Sequence, residues 1–156
     1  MDVKIKDAAA TFNYCVRAII VQDGKVLTLC TNDAGYAHLP GGHVEIGETS
    51  TAALKREIKE ELGWEIMIDR LVITQEQLYQ KQDQKHHSLL LYYLAQPKAQ
   101  IELNDSIHME QGRTKMIKHA LHWVALDALP NFDLRPVEIK NLIMQNDWHE
   151  LRHIIS

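Results

Sequence analysis

One stretch of this chain specifies its local structure more firmly than any other. From Thr49 to Leu62, Ala52, Ala53 and Leu54 propagate a helix. Thr49 or Ser50 can cap its first turn, and Gly63 stands where a left-handed residue ends it. Leu54, Ile58 and Leu62 recur at i, i+4 and i+8, a stripe that faces a core. Glu57, Glu60 and Glu61 recur at i, i+3 and i+4 on the neighbouring side. Like charges at that spacing cost roughly a few tenths of a kcal/mol per pair. Lys55 and Lys59 lie off the cluster, so the relief that interspersed lysines give an ordinary acidic face is missing here. A bound hard cation relieves the repulsion instead. Every ligand atom in the cluster is an oxygen, which suits Mg²⁺, with Mn²⁺ as a substitute, rather than Zn²⁺.

Strand patterns lie on both sides of this helix. Tyr14–Val21 and Lys25–Thr31 read as a hairpin turning at Asp23-Gly24, and Leu39-Pro40-Gly41-Gly42 is a break. Trp64–Thr74 is β-branched again, and glutamine-rich Gln75–Lys85 reads as a solvated loop or a protruding strand pair. His86–Ala95 is the most apolar strand, Asn104–Thr114 reads as a polar loop, and Ala120–Ala125 as a further strand. Pro136 can occupy the first turn of a second helix that runs to about Gln145. Strands before, between and after two helices predict a mixed sheet with helices on its faces. This is an α/β/α sandwich of the α/β (α+β) class, one domain over 1–156.

The net charge of -4 and pI ≈ 6.1 supply no attraction for nucleic acid or an anionic membrane, and neither is expected as a partner. Met1–Asn13 holds no apolar run of the kind a signal peptide needs, and Leu89–Ala95 is far too short to span a bilayer. Cys15 and Cys30 sit in strand-like segments without a CxxC pair and read as small buried residues of a reducing compartment. By elimination the expected location is cytoplasmic. The nine histidines lack any zinc-binding spacing. Arg17 shares the face of an apolar strand with Cys15, Ile19 and Val21. A charge there is costly unless it pairs with a carboxylate or reaches an anion such as a substrate phosphate. Arg56 can pair with Glu48 or with Glu60.

The segment from Gly42 to Trp64 resembles the Nudix box of the Nudix hydrolases, G-x5-E-x7-R-E-U-x-E-E-x-G-U with U a bulky apolar residue. Gly42, Glu48, Arg56, Glu57, Glu60, Glu61 and Gly63 match in register, Ile58 fills the first U and Trp64 the second. The resemblance implies that Glu57, Glu60 and Glu61 ligate a divalent metal, joined by the carbonyl of Gly41. It implies that Arg56 pairs with Glu48 and orients the loop and helix. It implies attack of water on phosphorus in a nucleoside diphosphate linked to another moiety, with a carboxylate such as Glu57 taking the proton. A further acidic residue from a later loop serves many members as ligand or general base. Glu110 is the leading candidate here, with Glu102 and Asp105 open.

Substrate class is less constrained. No proline occurs between Pro40 and Pro97, and there is no Ser-Gln-Pro-Trp run, so the signatures of ADP-ribose and NADH members are absent. Tyr79 occupies roughly the place of a tyrosine in dinucleoside-polyphosphate members. A small nucleotide-like diphosphate is the expected substrate. A nucleotide-sensing module without catalysis and an RNA-directed pyrophosphohydrolase are the alternatives. Family members of this size often pair, and the apolar strand Leu89–Ala95 and the tail residues Trp148, Leu151, Ile154 and Ile155 add to the expectation of a homodimer.

Overall fold

Alternating side chains along two long strands decide where the layers lie. The computed structural model describes residues 1–7 and 9–156. Its elements in chain order are β1 (Lys4–Lys6), β2 (Ala10–Ile19), β3 (Val21–Gln22), β4 (Lys25–Thr31), α1 (Ser50–Leu62), β5 (Ile66–Lys81), β6 (Gln84–Pro97), β7 (Ser106–Gln111), β8 (Met116–Ala125), a 3-10 turn (Leu126–Asn131), α2 (Val137–Gln145) and β9 (Arg152–Ile155). A five-stranded mixed sheet runs in the order β1-β2-β6-β5-β9, and a four-stranded sheet in the order β3-β4-β8-β7. The strands β2 and β6 are parallel, with Cys15 opposite Leu90 and Val16 opposite Leu91.

Both faces of this strand pair are buried, as helix-covered parallel strands require. On one face Val16, Ala18, Tyr93 and Ala95 pack with Leu54, Ile58 and Leu62 of α1. On the other, Cys15, Ile19, Leu90 and Tyr92 pack with Ile139 and Ile143 of α2. The result is the α/β/α sandwich. Thr49 caps α1, its hydroxyl accepting from the Ala52 amide at 3.2 Å, and Gly63 ends the helix at φ 73. The stripe therefore sets the helix against the sheet, and the caps fix where its glutamates begin and end.

Several elements differ from expectation. Asp23-Gly24 turns between β3 and β4, but only Val21–Gln22 forms that hairpin arm. β2 joins the other sheet, because with both faces apolar it belongs in the interior beside β6. The glutamine-rich segment is a strand pair, closed by a two-residue turn at Gln82 and Asp83 with φ 48 and 62, the backbone of a primed hairpin turn. The segment read as a loop holds β7, paired with β8 alone, so its polar side chains cost little. β8 begins at Met116, ahead of Ala120, to complete that ladder. Pro136 lies one residue outside α2, as its cap. No helix among the described residues is long and apolar enough to cross a membrane.

Candidate active site

Three sequence segments converge beside α1: the Pro40–Glu48 loop, the second half of β2, and β7, which lies against the helix. The glutamates of α1 are not equally placed. The side chain of Glu60 is 45% exposed and that of Glu57 16%, while Glu61 is 6% exposed and accepts a hydrogen bond from the Gly41 amide at 2.7 Å. Burial pushes the Glu61 carboxyl up to about 8. Arg17 and the Gly41 amide oppose the rise, while repulsion from Glu57 and Glu110 adds to it. Glu57 is also raised, again chiefly by burial and against the pull of Arg56.

Arg56 organises the loop. Its Nε and Nη2 donate to Oε1 and Oε2 of Glu48, both at 3.0 Å, a bidentate pair. Nη2 also donates to the His43 carbonyl at 3.0 Å, and Nη1 to Glu57 at 2.8 Å and Glu60 at 3.3 Å. The pair holds Glu48 below its ordinary range and lifts Arg56 above its own. Both partners anticipated for Arg56, Glu48 and Glu60, are thus engaged at once. Among the described residues no three His, Cys, Asp or Glu side chains already form a metal cage. Glu57 turns to Arg56, and Glu61 is held by the Gly41 amide.

Among the described residues Arg17 pairs with a backbone carbonyl rather than with a carboxylate. Its Nη1 donates to the carbonyl oxygen of Gly41, because the loop runs antiparallel past β2, with Val16 and Ala18 donating to Gly42 and Pro40. Arg17 also lines a cavity of ≈ 770 Å³ with Tyr79, His38, Tyr92 and Arg135. The two residues read as substrate contacts therefore share one wall-lined space. One face of Tyr79 stacks on His86, which borders a separate cavity, with ring centroids 4.6 Å apart.

Glu110 stands on β7, not in a loop, and its Oε2 lies 2.7 Å from Nε2 of His119, a buried residue of β8. Of the carboxylates left open, Asp105 is engaged with His122 at 3.0 Å and the Trp123 amide at 3.3 Å, and exposed Glu102 accepts from Asn104. The residues that the spacing did not single out are His119, Thr31 and His38, which continue from Glu110 as a chain of contacts. Their signal is spatial. His119 and His122, beside and in the apolar segment Ala120–Ala125, give no pattern that singles out either one.

Residues 12–143 match the model of the NUDIX domain. A MutT-like protein of Streptomyces ambofaciens is 36% identical over 53 residues, covering 34% of this chain and 34% of that protein, so the chain aligns with about a third of that relative's length. An ADP-ribose pyrophosphatase from Streptococcus suis has a similar structure, with TM-score 0.62, 20% identity and coverage of 92% of this chain and 98% of the other. So has a MutT NUDIX hydrolase from Burkholderia pseudomallei, with TM-score 0.56, 28% identity and coverage of 86% and 96%. With a family match that takes in most of β2, the Arg56–Glu48 loop, the glutamates of α1, Glu110 and most of α2, the chain belongs to the Nudix family.

Proposed function

We propose that this chain hydrolyses the diphosphate linkage of a nucleoside diphosphate joined to another moiety (a nucleotide, nucleotide sugar or dinucleotide) in the presence of Mg²⁺. One juxtaposition carries the proposal. Glu61 of α1 is linked through Gly41 to Arg17, which lines a cavity of ≈ 770 Å³, a volume suited to a nucleotide-sized ligand. The donor set fits a hard cation, since it consists of carboxylates and a carbonyl, and Glu61 is a buried carboxylate short of compensating positive charge. Glu57, Glu60, Glu61 and the Gly41 carbonyl would hold the metal, which when bound would polarise a phosphoryl group and lower the pKa of a bound water. Mn²⁺ would serve as a substitute.

The chain's own residues supply the rest. Arg56 clamps Glu48 and fixes the loop against α1. Arg17 presents positive charge where cavity and loop meet, the place for a substrate phosphate, and Tyr79 offers a flat face to the nucleoside. The water oxygen forms a bond to one phosphorus while the bridging P–O bond breaks and the second phosphate leaves. Glu110 receives the water's proton, with Glu57 as the alternative acceptor. The protein is further proposed to act as a homodimer in the cytoplasm. Its unpaired cysteines support a reducing compartment.

The test is a phosphate-release screen over nucleotide sugars, dinucleoside polyphosphates and modified nucleoside triphosphates with Mg²⁺. Turnover that collapses on chelation supports the proposal. Binding without turnover would favour a sensing module, and preference for capped RNA an RNA-directed enzyme.

A further inference from the structure

Four side chains from three neighbouring strands and the loop after β4 form one continuous series of contacts. Nδ1 of His38 lies 2.9 Å from the Leu39 carbonyl oxygen, and its Nε2 lies 2.8 Å from Oγ1 of Thr31. That hydroxyl lies 3.1 Å from Nδ1 of His119, whose Nε2 lies 2.7 Å from Oε2 of Glu110. The sheet builds this series. Thr31 of β4 is opposite His119 of β8, and β7 brings Glu110 alongside on the other flank. His119 is 3% exposed, so its two ring nitrogens face Thr31 and Glu110 rather than solvent.

Counting donors and acceptors fixes the protons along the series. A carbonyl oxygen only accepts, so Nδ1 of His38 donates to Leu39. Burial, with Arg17 nearby, holds His38 down at about 4, so its ring is neutral and Nε2 is bare. Thr31 has one proton to give and donates it to that nitrogen. Its oxygen is then an acceptor towards His119, whose Nδ1 must donate. At the far end, a bare Nε2 facing a carboxylate oxygen at 2.7 Å would set lone pair against lone pair. That contact therefore holds a proton of its own, and since a general base is an ionised carboxylate, the proton belongs to Nε2 of the ring, which donates it to Glu110.

We propose that His119 is a positioning residue: oriented by Thr31 and His38, it ties Oε2 of Glu110 and leaves Oε1 free to face the reacting water. The proposal rests on the reading of Glu110 as general base. It also gives the cavity wall at His38 a physical connection to the carboxylate beside Glu61.

Nitrogen-15 NMR of histidine-labelled, metal-free protein tests the proton count without turnover. Nδ1 of His119 carries a proton at neutral pH in the wild type, and that fixed state is lost in Thr31→Val. A bare Nδ1 in the wild type overturns the proposal. Kinetics with the substrate that the nucleotide screen selects test the role. His119→Gln lowers kcat by about tenfold or more with KM unchanged, and adds nothing to Glu110→Gln. Additive losses, or wild-type kcat in folded His119→Gln, overturn it. Should His119→Gln fail to fold, Thr31→Val takes its place in the same double-mutant comparison. If Glu110→Gln alone keeps full activity, the general-base assignment fails, while the NMR result on His119 stands by itself.

Discussion

Arg56 donates to Glu48, Glu57, Glu60 and the His43 carbonyl at once, which only a planar fork can do. Arg56→Lys keeps the charge and loses the geometry. Turnover is expected to fall by at least about tenfold, and full activity in the lysine variant would reduce Arg56 to a surface ion pair. Glu61→Gln and Glu60→Gln keep volume but remove ligand charge, so kcat should fall about 10²-fold or more. Near-normal turnover in both would sink the metal assignment. His38 gives a pH dependence of stability. Its ring is held at about 4 in the fold against 6.5 unfolded, so its contribution is whole above 6.5 and is lost as pH falls towards 4. From pH 7 to pH 5 the unfolding free energy should drop by roughly 2 kcal/mol from this site. His38→Asn should flatten the denaturation profile over that range, and an unchanged slope would place the effect elsewhere. Legibility at this scale followed chemistry that repeats along the chain. The spacing of Glu48, Arg56 and the glutamates was readable, whereas His119 acquires its role only from strands that meet across the sheet.

At the scale of elements, the helix was readable because every local signal agreed: a threonine cap, an apolar stripe and a terminal glycine. β7 was not, because it pairs on one side only and its alternation leaves Ile107 and Met109 exposed among polar residues. The glycine pair before the helix shows how element geometry serves the site. A Cβ on Gly41 would sit 2.2 Å from the Val16 carbonyl oxygen, at a φ of 132, so Gly41→Ala must move backbone. It is expected to destabilise the fold by ~2 kcal/mol or more. A Cβ on Gly42 would sit 2.4 Å from the Glu57 carboxylate, the far end of a flexible side chain. Gly42→Ala should therefore keep stability within ~1 kcal/mol while pushing Glu57 away from Arg56, with turnover reduced about tenfold or more. Thermal melts and kinetics on the two variants check the contrast. Equal destabilisation of both would contradict it.

For the whole molecule, the sandwich of helices about a mixed sheet was readable from the alternation of strand and helix. The division into two sheets was not. It depends on β2 leaving its hairpin to run beside β6, a pairing between residues 75 positions apart. That placement also removes one argument for a homodimer, because β6 lies inside the sheet and Leu90, Tyr92, Tyr93 and Ala95 are buried within the single chain. Trp148 and Ile154 pack on the α2 side of the core. What is left is the flank at β9, which pairs with β5 alone and leaves Leu151 58% and Ile155 69% exposed. An open strand edge with apolar residues favours pairing with another strand, and a two-fold axis there would let each copy cover the other. Light scattering at micromolar concentration should then give twice 18.0 kDa. Leu151→Lys with Ile155→Lys, which places four like charges across the contact, should return the monomer mass. A wild-type mass of 18.0 kDa would reject the dimer, and a charged variant that still pairs would move the interface away from β9.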